Sequence, residues 1–204
     1  MRALRIGILG GTFDPVHTGH LAVARAARRR FRLDLVYFIP CGLPPHKPRR
    51  KLSPFLHRFT MVALACAGEP AFAPSLLEAG ADLRGEHVTY SIDTVRRLRR
   101  MRPRARLYFL LGADALLLLP QWKNIGQLVR LCEFVVAARP GIDRRKLARV
   151  AVPNATVHFL GGVDVDVSAS QIRRAARRGR SLAGLVPASV ADYISKMALY
   201  SGRR

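Results

Sequence analysis

Apolar and polar positions along the chain switch repeatedly between two rhythms. Short, nearly continuous apolar runs alternate with longer stretches in which apolar residues return every three or four positions, as on one face of a helix. The short runs predict strands over Leu4–Leu9, Leu35–Ile39, Leu107–Leu111, Phe134–Ala138 and Val157–Leu160, with a shorter strand near Ala71–Ala73. The helical rhythm covers Thr18–Arg30, Pro54–Ala67, Ser91–Arg102, Ala113–Leu118, Ile125–Leu131, Arg144–Val150, Ser170–Arg178 and Pro187–Leu199. Thr18 and Ser91 stand where helix caps are expected, and the second of these helices carries Ile92, Val95 and Leu98 on one face. Strands alternating with helices predict an α/β fold, a doubly wound, mostly parallel sheet with helices on both faces and a C-terminal helical segment. Neither repeats nor a linker interrupt the pattern, so one domain is expected over residues 1–204.

Composition narrows the class. Half of the 204 residues are apolar, enough for one sizeable core. The densest apolar run, Leu107 to Leu119, is too short for a bilayer and is broken by Gly112 and Asp114. Met1-Arg2-Ala3-Leu4-Arg5 leads straight into the first strand without a signal-like segment, so a cytoplasmic protein without membrane contact is expected. Cys41, Cys66 and Cys132 are odd in number and far apart; they suit small core residues better than disulfides or zinc. The net charge of +22 points first to nucleic acid, yet 30 of the 35 basic residues are arginine, a bias that a GC-rich genome also produces. They fall in scattered bursts (Arg28-Arg29-Arg30, Arg96-Arg97 with Arg99-Arg100, Arg173-Arg174 with Arg177-Arg178) that read as solvated helix faces. Such a field steers a small polyanionic substrate, and nucleic acid is not the expected partner.

The chemistry concentrates at residues 10–20, Gly-Gly-Thr-Phe-Asp-Pro-Val-His-Thr-Gly-His, directly behind the first strand. A strand, a glycine-rich turn and a helix opening follow one another here. A helix N-terminus offers unpaired N–H groups and partial positive charge, a natural seat for phosphate. Gly10 and Gly11 let backbone approach a ligand, Thr12 adds a hydroxyl, and Asp14-Pro15 turns the chain toward His17. Two imidazoles three residues apart at that opening suit phosphoryl or nucleotidyl transfer. The segment matches neither the P-loop pattern nor G-x-G-x-x-G. Between Cys41 and Ser53 a stiff loop rich in Pro, Lys and Arg follows the second strand, placed to meet anions at the sheet edge.

Gly10 to His20 resembles the signature of the T/H-x-G-H nucleotidyltransferase superfamily, in the form found in bacterial nicotinate-nucleotide adenylyltransferases. Leu43-Pro44-Pro45-His46-Lys47 is similar to that family's basic P-P-H-[KR] loop, and Thr89-Tyr90-Ser91-Ile92-Asp93-Thr94 to its T-Y-[ST]-I-D-T segment. Gly112-Ala113-Asp114 and Pro120-Gln121-Trp122 resemble its G-x-D and P-x-W elements. Val167-Ser168-Ala169-Ser170-Gln171-Ile172-Arg173 resembles its I-S-S-T-x-I-R motif, and Leu185-Val186-Pro187 to Tyr193-Ile194 its C-terminal helix. Ala169 departs from the family's usual Ser, which leaves open whether Ser168 or Ser170 meets phosphate.

The resemblance implies a Rossmann-like enzyme that transfers the adenylyl group of ATP to nicotinate mononucleotide, releasing pyrophosphate, in NAD biosynthesis. It assigns His17, His20, Lys47 and Arg173 to catalysis. ATP would be held by Gly10, Gly11, Thr12, Phe13, His17, His20, Ser168, Ser170, Ile172 and Arg173. Nicotinate mononucleotide would meet Lys47, Thr89, Tyr90, Asp114, Trp122 and Arg139. Within that scheme Trp122, the sole tryptophan, stacks on the pyridine ring, and Arg173 holds the β- and γ-phosphates. Mg²⁺ is expected to travel with ATP, because no carboxylate cluster makes a dedicated metal site. A homo-oligomer is compatible with the sequence. The competing readings are a sister adenylyltransferase acting on nicotinamide mononucleotide or phosphopantetheine, and, from another class, a basic nucleic-acid-binding protein. A class I aminoacyl-tRNA synthetase shares H-x-G-H but needs a second signature loop and a far longer chain.

Overall fold

Alternate residues of each central strand enter opposite cores, as a two-sided sheet requires. On one face Leu9, Val36, Phe38, Tyr108, Leu110 and Val135 pack together; on the other lie Ile6, Ile8, Leu107, Phe109, Leu111 and Phe134. The computed structural model describes residues 2–43, 52–80, 83–84, 87–137, 147, 150, 152–163 and 166–201. Its strands are β1 (Arg5–Gly11), β2 (Leu35–Pro40), β3 (Phe72–Pro74), β4 (Arg106–Gly112), β5 (Glu133–Ala137) and β6 (Val157–Leu160). The helices are α1 (Thr18–Phe31), α2 (Phe55–Cys66), α3 (Ser91–Met101), α4 (Ala113–Leu118), α5 (Ile125–Leu131), α6 (Ala169–Arg177) and α7 (Ala188–Lys196). The strands form one sheet in the order β3-β2-β1-β4-β5-β6, and all five pairings are parallel.

Apolar residues of α1, α2, α6 and α7 cover the first face (Leu21, Met61, Ile172, Ile194) and those of α3, α4 and α5 the second (Val95, Leu116, Leu128). The chain winds outward from β1 through β2 to β3, then returns to place β4, β5 and β6 on the other side. The winding direction therefore reverses between β1 and β4, where a crevice opens at the carboxyl ends of the strands. The expected doubly wound architecture is present. Among the described residues no helix is long and apolar enough to cross a membrane.

Several local expectations need correction. β1 runs past Leu9 to Gly11, because Gly10 and Gly11 still pair with Ile39 and Pro40. The cap of α1 is His17 rather than Thr18, whose hydroxyl and amide are drawn to the carbonyls of Gly184 and Leu185. Tyr90, not Ser91, precedes α3 as its cap. The Arg99 side chain is not a solvated one: it donates to the carbonyls of Ala105 and Leu131, both at 2.6 Å, tying α3 to the start of β4 and the end of α5. Cys66 and Cys132 are buried as expected, and burial pushes both thiols up to about 12. Of the helix expected over Arg144–Val150 only residues 147 and 150 are described; Leu147 is helical and buried.

Candidate active site

The crevice between the ends of β1 and β4 is a cavity of about 660 Å³. One end is built by β1 and α1. Past Gly11 the chain turns at Phe13 with φ of 48°, and its ring, 1% exposed, packs edge-on against His20 (4.9 Å) and against Phe38 (5.9 Å). The buried ring is thus the floor on which His20 rests. The His17 and His20 rings stack with centroids 3.7 Å apart at the opening of α1. His20 Nδ1 accepts the His17 backbone N–H at 3.2 Å. In the neutral ring the proton is therefore on Nε2, which makes His20 a fixed N–H donor. A Cβ placed on Gly10 would meet only the Phe109 ring edge, at 3.6 Å, so the space beside that backbone is open to a ligand.

This end is braced from behind. Arg58 of α2, 2% exposed, donates from Nη1 to the carbonyls of Thr12 (2.9 Å) and Cys41 (2.7 Å), and from Nε to that of Ser53 (3.0 Å). A longer bond from Nη2 reaches the Gly42 carbonyl at 3.4 Å. Its guanidinium ties the turn after β1 to the end of β2, and burial lowers its affinity for the proton. Arg173 Nη1 donates to the Asp14 carbonyl at 2.6 Å. Cys41 lines the cavity instead of joining the core; burial pushes its thiol up to about 11, so it stays neutral and unreactive.

The other end is made by Trp122, Lys123, Tyr90, Ser91, Thr89, Glu78 and Phe109. Trp122 is held edge-on to Phe109 at 5.6 Å, and Lys123 Nζ sits 4.0 Å from the centre of the Tyr90 ring. Glu78, largely buried, accepts the hydroxyls of Thr89 and Thr94, both at 2.5 Å. Burial raises the Glu78 carboxyl above its ordinary range, against the pull of those two donors. Leu43 pairs with Val88, which fixes the chain just ahead of α3, and the first turn of α3 opens on the cavity at Tyr90 and Ser91.

Of the residues singled out in the sequence, Gly10, Gly11, Thr12, His17, His20, Thr89, Tyr90 and Trp122 meet around this one cavity. Phe13 lies behind it. Asp114 is exposed in the first turn of α4, and the neighbours Gly112 and Ala115 rather than Asp114 form the wall. Ser168, not Ser170, caps α6, accepting the Gln171 N–H at 3.3 Å; Ser170 is exposed and Ile172 is fully buried beneath the helix. Lys47 and Arg139 lie outside the described residues. Arg58 and Glu78 were not singled out, and Ser91 was read as a helix cap rather than as a site residue. Arg58 had a legible signal: it falls on the same helical stripe as Phe55, Met61, Val62 and Ala65, a charged residue on a buried face.

Among the described residues no three His, Cys, Asp or Glu side chains gather as metal ligands. The cavity presents imidazole, hydroxyl and backbone N–H groups, donors that suit the oxygens of a polyphosphate. His17 and His20 stand at one end of the cavity and the aromatic rings of Tyr90 and Trp122 at the other.

Residues 8–175 match the family described as cytidylyltransferase-like. A protein of Geobacter metallireducens named as a probable nicotinate-nucleotide adenylyltransferase is 41% identical, over 98% of this chain and 100% of its own length. One of Thermoanaerobacter with the same name is 40% identical, over 98% of this chain and 95% of its own. The nicotinic acid mononucleotide adenylyltransferase of Plasmodium falciparum, solved with NaAD, superposes with a TM-score of 0.77 at 20% identity, covering 97% of both chains. That likeness supports the fold, and the two closer relatives extend it to sequence over the full length. The chain belongs to the nicotinate-nucleotide adenylyltransferase family.

Proposed function

We propose that the protein transfers the adenylyl group of ATP to nicotinate mononucleotide, giving nicotinate adenine dinucleotide and pyrophosphate in the cytoplasmic synthesis of NAD. The observation that carries this reading is one continuous cavity with the imidazoles of His17 and His20 at one end and the rings of Tyr90 and Trp122 at the other, in a chain about 40% identical to members of that family along its whole length.

A phosphate oxygen of the mononucleotide attacks the α-phosphorus, a P–O bond forms, and the bond to the bridging oxygen breaks as pyrophosphate leaves. The attacking group is already an anion, so neither a general base nor a covalent nucleophile is needed. What the site must supply is alignment of two mutually repelling polyanions and stabilisation of charge developing on the α-phosphate. His20 Nε2–H, oriented by the His17 backbone, is the donor suited to that oxygen, with His17 stacked beside it. The open space beside Gly10 takes the nucleotide, and α6, capped by Ser168 and carrying Arg173 in its second turn, takes the distal phosphates. Lys47 and Arg139 are assigned to phosphate charge from the family pattern alone. Mg²⁺ would be held by the polyphosphate itself, neutralising its charge.

For the acceptor, Trp122 offers a stacking face and the first turn of α3 a seat for the ring carboxylate. Because the Thr89 hydroxyl donates to Glu78, the donors left to meet an anion there are the Ser91 hydroxyl and backbone N–H groups. Pyrophosphate release with Mg-ATP tests the reading, with nicotinate mononucleotide, nicotinamide mononucleotide and phosphopantetheine offered in parallel. Marked preference for the nicotinate nucleotide is the expected result. Preference for another acceptor would overturn the acceptor assignment, and no release with any would overturn the function.

A further inference from the structure

The turn after β1 has one more brace, and it comes from the far end of the chain. α7 closes in a Schellman motif: Ala198 N–H bonds the Ser195 carbonyl at 3.1 Å and Leu199 N–H the Ile194 carbonyl at 3.0 Å. Ala198 takes the left-handed position of that motif at φ 47°, where glycine is usual, and Tyr200 follows at φ 65°. Two side chains in a conformation that L residues seldom adopt turn the tail back onto the core, against which Leu199 and Tyr200 both pack. The reversal delivers the Tyr200 hydroxyl to Asp14, where it donates to Oδ1 at 2.7 Å across 186 residues of sequence.

Asp14 is 2% exposed. A carboxylate buried that deeply needs its oxygens filled. Its Oδ2 has the Ser53 N–H, at 3.4 Å, so Tyr200 supplies the shorter of the two bonds. Burial, helped by the neighbouring carboxylate, pushes the Tyr200 hydroxyl far above the ordinary tyrosine range, which keeps it a donor throughout the physiological range. Asp14 lies between Phe13, the floor under His20, and His17, so a shift of Asp14 is passed to both imidazoles.

We propose that Tyr200 is a positioning residue of the adenylyl-donor site, acting through Asp14 to hold the Thr12–Asp14 turn, and with it His17 and His20, at the spacing a triphosphate requires. This rests on the reading of that end as the ATP site. Tyr200 is not among the residues that line the cavity.

Tyr200→Phe removes the hydroxyl and leaves the ring packing. The wild-type chain is assayed first for pyrophosphate release with nicotinate mononucleotide, and for Mg-ATP binding alone by calorimetry. In the variant the KM and Kd for ATP rise roughly tenfold and kcat falls several-fold, the scale of a small misplacement at a preorganised site. KM for the mononucleotide stays unchanged, while Tm falls by several degrees because a buried carboxylate loses its shorter hydrogen bond. Tyr193→Phe removes a hydroxyl from the same C-terminal region, one paired with His57 and not with the turn; its ATP constants remain those of the wild type. ATP constants unaltered by Tyr200→Phe would overturn the proposal. So would a loss shared equally by both substrates, or one reproduced by Tyr193→Phe. A wild type that binds ATP without transferring it would fault the acceptor reading and leave the brace testable by calorimetry. One that binds no ATP overturns both.

Discussion

The two ends of the cavity are built on different terms. At the His17–His20 end the groups are held from behind: Phe13 beneath His20, Arg58 on the Thr12 carbonyl, Arg173 and Tyr200 on Asp14. These braces come from α2, α6 and the tail, segments far apart in sequence that pack on the same face of the sheet and meet at this turn. At the aromatic end the exposed side of the site is carried by a short connection after α4, where Trp122 rests edge-on against Phe109 and Lys123 lies over Tyr90. The difference matches the chemistry. Charge developing on phosphorus is stabilised by donors that need not reorganise, so their spacing must be set before substrate arrives. A flat ring is recognised by area and one charged substituent, which tolerates a side chain that settles on binding.

The sharpest way to break the comparison is at its most rigid point. His20→Ala should fold with wild-type stability yet lose about 10²–10³ in kcat, the scale of removing one preorganised donor from a transition state. The KM for the mononucleotide should hold steady. Near-normal turnover in steady-state assays would show that the stacked imidazoles are not where the charge develops.

Removing Arg58, which ties three segments together, should be felt first in stability. Arg58→Met fills much of the same volume but leaves the carbonyls of Thr12, Cys41 and Ser53 without their donor in a buried place. The cost is expected at about 2–4 kcal/mol, several degrees in Tm for a chain of this size. Arg58→Lys keeps the charge but lacks the fork that reaches three segments at once, and should recover only part of the loss. Thermal unfolding of the two variants ranks them directly. If Met melts no lower than the wild type, the buried guanidinium is not a brace.

How much of this was legible from residues alone follows the same division. The central strands and the cores they feed could be read, since alternation in Ile6–Leu9 and Leu107–Leu111 follows from having a helix layer on each face. That Gly10, Gly11, Thr12, His17 and His20 meet at one cavity was legible because these residues are nearly contiguous in sequence. The braces were not. Tyr200 and Asp14 are 186 positions apart, and no local pattern announces their bond. The caps were misread for the same reason: Thr18 has the right chemistry for a cap, but its hydroxyl is taken by Gly184 and Leu185 from a distant loop. Arg58 sat in plain view on the apolar stripe of α2, a conflict between charge and burial that signals a tertiary role.

At the aromatic end the effects should be smaller and confined to one substrate. Trp122→Ala is expected to raise the KM for nicotinate mononucleotide roughly tenfold, the worth of one stacking face with its buried area. The KM for ATP should stay within about twofold, because the ring of Trp122 rests on Phe109 at its own end of the cavity. A selective defect for ATP would mean that the two ends are not separate subsites and that the comparison itself fails.

The smallest predicted effect is the most specific. Ser91 opens α3 at the cavity wall, where the helix N-terminus favours negative charge. The hydroxyl can give a charge-assisted bond to a ring carboxylate but only a neutral one to an amide, and the two differ in strength by about twofold. Ser91→Ala leaves the helix N–H groups and the Trp122 face in place, so most of the affinity should survive. The expected loss in kcat/KM is roughly fivefold to tenfold with nicotinate mononucleotide and about twofold with the nicotinamide nucleotide. The ratio of the two is the informative quantity, since a general loosening of α3 would lower both together and leave it unchanged. A ratio that moves toward the amide places acid recognition at the start of α3. A ratio that stays fixed moves it to the backbone there, or to residues elsewhere in the cavity.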